Sequence, residues 1–255
     1  MGYNKSVLGV VRINIGHEKM IRHLTGKAIA EYRMIEEGDR ILVGVSGGKD
    51  SLALLWILHK LQRRAPVRFS LVAATLDQGY SMDYAPIKEY CCSLSLPYCI
   101  RRVNLARIVF ETRPDENPCA LCSHLRRGIL VRLAREMDCN KLAYAHHADD
   151  AIETLLLNLF FTGRIASFLP VTDLSRQQLK VIRPFVYVRE HLINKLADEL
   201  NLPVLPNPCP AARRTQRQQV KEILVDLEAR IPGLNQRLLS ALSKKDIQLW
   251  PAPER

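Results

Sequence analysis

Apolar positions Met20, Ile21, Leu24, Ala28, Tyr32 and Ile35 recur three and four residues apart, and that period predicts an amphipathic helix over 17–36. The other face of this helix carries Lys19, Arg22, Lys27 and Arg33. Short apolar runs at 41–45, 69–76, 98–103 and 141–145 read as strands. Helical stretches separate or follow them at 51–62, 85–94, 123–137 and from about Asp150 to Phe161. Strands alternating with helices predict an α/β fold with a doubly wound parallel sheet. Ligands of such sheets sit beyond the carboxyl ends of the strands. Polar clusters stand at three of those ends, 46–51, 77–79 and 146–150, which favours one shared site.

After Gly163 the pattern changes. Pro170, Pro184, Pro203, Pro206, Pro208 and Pro210 divide the chain into short segments, and two helices are expected near 216–230 and 233–244. The expected organisation is an N-terminal segment and helix (1–36), an α/β domain (37–163), and a smaller, mostly helical C-terminal extension (164–255).

Composition narrows the class. The 255 residues are 47% hydrophobic, which suits a soluble globule. The longest apolar runs fall far short of the roughly 20 residues that span a bilayer, and Met1–Lys5 has no apolar signal core. A cytoplasmic protein without a membrane partner is expected. A net charge of +11 and a pI near 9.5 favour a polyanionic partner, RNA or DNA first. Seven cysteines without an export signal argue against a disulfide framework. Cys91, Cys92, Cys99 and Cys139 lie in apolar surroundings and read as packed thiols.

The candidate chemistry starts at Ser46-Gly47-Gly48-Lys49-Asp50-Ser51, between a strand and a helix. A turn at a helix N-terminus offers unpaired N–H groups and a positive dipole end to an anion. Gly47 and Gly48 let the backbone approach a phosphate, and Lys49 adds a mobile cation. Asp50 beside a phosphate implies that a metal ion or nucleophile is handled too. The spacing departs from the common P-loop, which needs four residues between Gly and Gly-Lys-Ser/Thr. It resembles the pyrophosphate loop of the ATP-pyrophosphatase (PP-loop) superfamily. That resemblance implies an adenine nucleotide α-hydrolase-like fold, ATP split between its α and β phosphates, and an adenylated substrate.

Ala145-His146-His147-Ala148-Asp149-Asp150 ends a strand and opens a helix. Alone it reads equally well as an acidic N-cap. Beside the loop at 46–51 it resembles the Gly-His-x-x-Asp-Asp element of thiolating PP-loop enzymes, with Ala145 in place of Gly. Asp50, Asp149 and Asp150 could share a magnesium ion on the pyrophosphate.

Cys119 and Cys122, three apart at a helix start, turn both sulfurs the same way. The helix end and Arg126-Arg127 are expected to lower their pKa. Such thiolates suit a redox pair, half a zinc site or part of an iron–sulfur cluster. No second pair follows; a solitary Cys209 stands between Pro208 and Pro210. With the two loops, the run Cys119 to Gly128, Val181-Ile182-Arg183-Pro184 and Gln216-Arg217-Gln218, the chain resembles the tRNA 2-thiocytidine synthetase (TtcA) family from about residue 18 to 235.

That resemblance implies a 4Fe-4S cluster on Cys119, Cys122 and Cys209 whose fourth iron is open for sulfur. It implies ATP held by Ser46, Gly47, Gly48, Lys49, Asp50, Ser51, Asp77, His146, Asp149 and Asp150, with Mg2+ on the three carboxylates. Lys49, Asp50, Cys119 and Cys122 are the expected catalytic residues. The expected reaction is adenylation of a cytidine in the tRNA anticodon loop and then thiolation. The partners are tRNA and a sulfur donor, either a cysteine desulfurase or free sulfide, with a homodimer left open. Arg113, Arg126, Arg127, Arg213, Arg214 and Arg217 are candidate phosphate contacts. The alternatives are another PP-loop tRNA-modifying enzyme, forming 2-thiouridine or lysidine, and a zinc-stabilised ATP-dependent RNA-binding protein.

Overall fold

A computed structural model of the chain describes residues 15–112, 117–211 and 215–243. Its six strands are β1 (Arg40–Gly44), β2 (Ser70–Asp77), β3 (Tyr98–Arg102), β4 (Lys141–Ala143), β5 (Val171–Leu174) and β6 (Leu179–Ile182). They form one sheet in the order β3-β2-β1-β4-β6-β5, all parallel except β5. The helices are α1 (Ile15–Glu31), α2 (Lys49–Gln62), α3 (Ala85–Ser93), a single turn α4 (Leu105–Arg107), α5 (Pro118–Glu136), α6 (Ala148–Thr162), α7 (Glu190–Glu199), α8 (Gln216–Arg230) and α9 (Leu234–Ser243).

Both faces of the sheet are buried, so its strands alternate between two cores rather than between core and water. Ile41, Val43, Leu71, Ala73, Ala143 and Ile182 face a layer that includes α1, α2, α3 and α7. Leu42, Val72, Ala74, Leu142 and Val181 face the other way, against Leu130, Leu133 and Ala134 of α5. Helix α2 is central: Leu52, Leu54, Leu55, Ile57 and Leu58 are wholly buried. Truncating any of these leucines to alanine would cost about 2–5 kcal/mol in transfer and cavity terms.

The doubly wound parallel sheet expected from the alternating pattern is present. Three features differ in detail. Helix α1 ends at Glu31, before the expected Glu36, because Arg33 adopts φ +47° and Met34 N–H closes on the Ile29 carbonyl at 2.9 Å. A π-turn, Ile108–Thr112, continues α4 where no element was read. The stretch 164–255, expected to be mostly helical, supplies β5, β6 and α7, and β6 pairs directly with β4. Four-residue strands are too short to show a period. Only α8 and α9 form the helical appendage, packed on α6 through Val220, Leu224 and Leu239.

Candidate functional site

Strand β1 runs into the glycine loop, and α2 starts at Lys49 with Gly48 as N-cap. No side chain caps that end, so its amides remain open to an anion. The loop is braced from inside. Ser51 Oγ accepts from Ser46 N–H at 3.1 Å and donates to the Gly48 carbonyl at 2.9 Å. Gly47 sits at φ +87°, and a Cβ there would lie 3.3 Å from Ile87 and Leu205 side-chain carbons. Glycine is therefore required both by conformation and by space. Lys49 Nζ lies 3.1 Å from Asp50 and 3.0 Å from Glu190. Burial works against its charge, but the two carboxylates outweigh burial and raise its pKa above the usual lysine value.

The second loop follows β4. Helix α6 starts on a capping box: His147 Nδ1 accepts from Asp150 N–H at 3.3 Å and Asp150 Oδ2 accepts from His147 N–H at 3.0 Å. Asp150 is thus an N-cap partner and also faces the cavity described below. His146 packs between Tyr144 and Phe168, with ring centroids 5.6 and 5.0 Å away. Its Nδ1 accepts from Arg183 Nε at 3.3 Å. Burial first, and then Arg183, push the His146 pKa down to about 4, so the ring is neutral at pH 7. Arg183 is itself 7% exposed and anchored on the Leu169 carbonyl at 2.6 Å. Burial lowers its pKa to about 10, which leaves it charged.

Parts of both loops line a cavity of about 430 Å³ at the carboxyl ends of β1, β2 and β4. Ser46, Asp50 and Ser51 form the loop side, Tyr144, His146 and Asp150 the second side, and Ser123, Arg126, Arg127 and Leu130 of α5 the third. Leu76 and Gln78 come from the end of β2. Two cavity-facing carboxylates, Asp50 and Asp150, could hold a divalent cation against a bound polyphosphate, and the arginines supply positive charge.

Cys122 stands beside this cavity, next to its lining residue Ser123, and has Cys119 and Cys209 as neighbours. Asn117 caps α5 and accepts from the N–H groups of Cys119 and Ala120, both at 3.1 Å. Cys122 Sγ lies 3.6 Å from Gln78 Oε1. Cys209, 87 residues further along than Cys122 in the chain, is brought there by its loop. Leu205 N–H donates to the Gly47 carbonyl at 2.9 Å, and Asn207 Oδ1 accepts from Cys209 N–H at 3.1 Å in a proline-bracketed turn. Cys209 lies beside the Tyr80 side chain, whose hydroxyl is pushed up to about 12 by burial and by Cys209. Cys209 and Cys119 both act on the Cys122 thiol electrostatically, so the three sulfurs share one neighbourhood. Burial raises the Cys122 pKa despite Arg126, which corrects the expectation of a lowered value. Among the described residues no three Cys, His, Asp or Glu side chains are arranged around a single metal ion. Cys119, Cys122 and Cys209 are free thiols, a donor set that suits an iron–sulfur group.

Other expected residues lie elsewhere. Asp149 faces away from the cavity: Arg189 holds it at 2.9 and 2.7 Å, and Glu190 N–H donates to it at 2.7 Å. Asp77 binds Gly79 N–H at 3.0 Å and lines a small hollow with Tyr84 and Lys88. Arg217, a candidate phosphate contact, reaches Glu153 at 2.9 Å and Asp150 at 3.2 Å. Arg113, Arg213 and Arg214 lie outside the described residues. Of the thiols expected to be packed, Cys91 and Cys139 are buried, Cys99 is half-buried and Cys92 is exposed. Reading by sequence missed Glu190, Arg189, Tyr80 and Leu205. Arg183 stood in a noted motif, and its place between Ile182 and Pro184 was the available signal for a buried cation.

The PP-loop domain family matches residues 18–227. The chain is 43% identical over 229 residues to the tRNA-cytidine(32) 2-sulfurtransferase of Pelobacter propionicus, covering 88% of this chain and 85% of that protein. It is 44% identical over 232 residues to the protein of that name from Syntrophotalea carbinolica, covering 88% of each. Among solved structures, the U34-tRNA thiolase NcsA of Methanococcus maripaludis, with its 4Fe-4S cluster, superposes with a TM-score of 0.73 over 89% of this chain and 77% of that one. At 23% identity this is a likeness of fold.

Proposed function

We propose, for a chain that belongs to the PP-loop domain family and within it to the tRNA-cytidine(32) 2-sulfurtransferases, that it uses ATP to replace O2 of a tRNA anticodon-loop cytidine by sulfur. One observation carries the reading: α5 starts at Cys119 and Cys122 and lines the cavity of the ATP-type loop with Ser123, Arg126 and Arg127, while Cys122 Sγ contacts Gln78 of the same lining at 3.6 Å. A PP-loop enzyme that formed lysidine would have no use for such thiols.

The loop amides at 46–51 and Lys49 would take the pyrophosphate part of ATP, with Mg2+ on Asp50 and Asp150. Attack of the cytidine O2 on the α-phosphorus breaks the bond to the bridging oxygen, and pyrophosphate leaves. Charge growing on that leaving group is met by Lys49, the loop amides and the arginines. Neutral His146, oriented by Arg183 on its Nδ1, keeps its Nε2–H as a donor. Cys119, Cys122 and Cys209 would hold a 4Fe-4S cluster. When bound, that cluster supplies an activated sulfur atom beside the cavity. Sulfur delivered there would displace O2 from C2, and AMP would leave with the oxygen.

Nucleoside mass spectrometry of tRNA from a strain lacking the gene is the test. Loss of 2-thiocytidine, restored by the wild-type chain and not by a Lys49→Ala variant, is expected. Unchanged 2-thiocytidine would overturn the reading.

A further inference from the structure

A second cavity lies on the other side of α5 from the first. It is a groove of about 720 Å³ on the outer side of α5, walled opposite by Leu174 and Gln177 of the β5–β6 hairpin. Among the described residues, α5 is the helix that covers the core of Leu42, Val72, Leu142 and Val181 on that face of the sheet, and the groove lies beside it. His124, Arg127, Arg132 and Arg135 of α5 line it, with the pairs His124/Arg127 and Arg132/Arg135 each three residues apart. Its only acidic side chain, Glu136, is paired with Arg101. The groove's surplus positive charge suits a polyanion and would repel an apolar helix of another protein.

Two observations connect the groove to the nucleotide cavity and to a close-fitting ligand. Arg127 lines both cavities, so the two are neighbours on either side of this side chain. Gly128 stands mid-helix on the groove, and a Cβ there would meet nothing within 4 Å. Glycine in a helix interior is less stable than alanine, and here the fold supplies no packing reason for it. Its absence of a side chain leaves helix backbone open to something outside the chain.

Resting on the sulfurtransferase reading, we propose that this groove seats the phosphodiester backbone of the tRNA anticodon stem, and that Arg127 marks where the strand turns its target base into the catalytic cavity. From His124 to Arg135 the groove extends about 17 Å at about 1.5 Å per helical residue. That is room for several consecutive phosphates of one strand. Phosphate contacts fix register without reading sequence, so the groove positions the stem while the cavity selects the base.

The test compares tRNA binding by fluorescence anisotropy over a salt series, with ATP binding and melting temperature measured on the same proteins. Arg132→Ala/Arg135→Ala removes two exposed cations that touch no part of the catalytic cavity. It should weaken tRNA binding about tenfold, flatten the log–log salt slope by roughly 1.5–2, and leave ATP binding unchanged. Gly128→Leu should melt no lower than wild type yet bind tRNA several-fold more weakly. Arg63→Ala/Arg64→Ala, exposed at the end of α2 on the opposite face, should change neither. Unchanged affinity and slope in the first two variants, or an equal loss in the α2 control, overturns the groove and leaves the sulfurtransferase reading standing. Wild-type protein that binds no tRNA overturns both.

Discussion

Replacing Glu190 by glutamine should destabilise the protein at neutral pH by about 2 kcal/mol, through a contact that looks catalytic. Its carboxylate lies 2.6 Å from Lys221 and 3.0 Å from Lys49. Burial alone would raise its pKa, but the two lysines pull it from the usual 4.5 down to about 2. At about 1.36 kcal/mol per pKa unit that difference is roughly 3 kcal/mol. With 22% of the side chain still exposed, screening by water brings it nearer 2. A carboxylate whose folded pKa lies below its unfolded value adds stability that is complete above about pH 4.5 and fades as the pH falls towards 2. The gap between wild type and Glu190→Gln should therefore shrink to about two fifths of its neutral value by pH 3. Urea unfolding at pH 7, 4 and 3 measures it. With a slope of roughly 3 kcal/mol per molar urea, the midpoints should differ by about 0.7 M at pH 7. A gap that stays constant with pH, or no gap at pH 7, would refute the ion-triad account.

Four further outcomes can be checked. Gly47→Ala should lose about 1–3 kcal/mol of stability and most ATP affinity, since a Cβ at φ +87° meets Ile87 and Leu205; calorimetry with ATP reads both. His146 should stay neutral down to pH 5 in an NMR titration, because its pKa lies near 4; half-protonation at pH 6 would contradict its burial. After anaerobic reconstitution, Cys209→Ala should hold far less iron and acid-labile sulfide than wild type, while Cys92→Ala, exposed on α3, should hold the full amount. Asp39→Ala should cost about 3 kcal/mol in denaturant unfolding, because it leaves the buried ammonium of Lys141 with only Glu36 as partner.

What could be read in the sequence was what is local. The loop at 46–51 announces itself because its glycines, lysine and serines sit within six residues, and the brace from Ser51 to Ser46 is local too. Strand β2 shows because eight residues of mostly apolar chain stand between turns. Strands β5 and β6 did not, since four residues carry no period. The placement of Asp149 was also hidden. Its partner Arg189 lies 40 residues along the chain, and a carboxylate's sequence position does not say which way it faces. Cys122 was read with a lowered pKa because the helix end and arginines are visible in sequence, whereas the burial that outweighs them is not.

The start of α7 changes how the two phosphate-side motifs relate. Arg189 grips Asp149 at the start of α6, and the neighbouring Glu190 grips Lys49 at the start of α2. Two consecutive residues thus tie both helix N-termini to a third helix, and α8 joins through Lys221 on Glu190 and Arg217 on Asp150. Of the three carboxylates first assigned to magnesium, Asp149 is the fastener, and Asp50 and Asp150 remain to face the cavity. The two roles predict different failures. Asp149→Asn should loosen α6 against α7, lowering stability and raising the KM for ATP together, with its magnesium dependence unchanged. Asp150→Asn should weaken magnesium dependence itself, and more metal should partly restore its rate. If added magnesium rescues Asp149→Asn equally, Asp149 turns towards the nucleotide when ATP binds, and the fastener role is wrong.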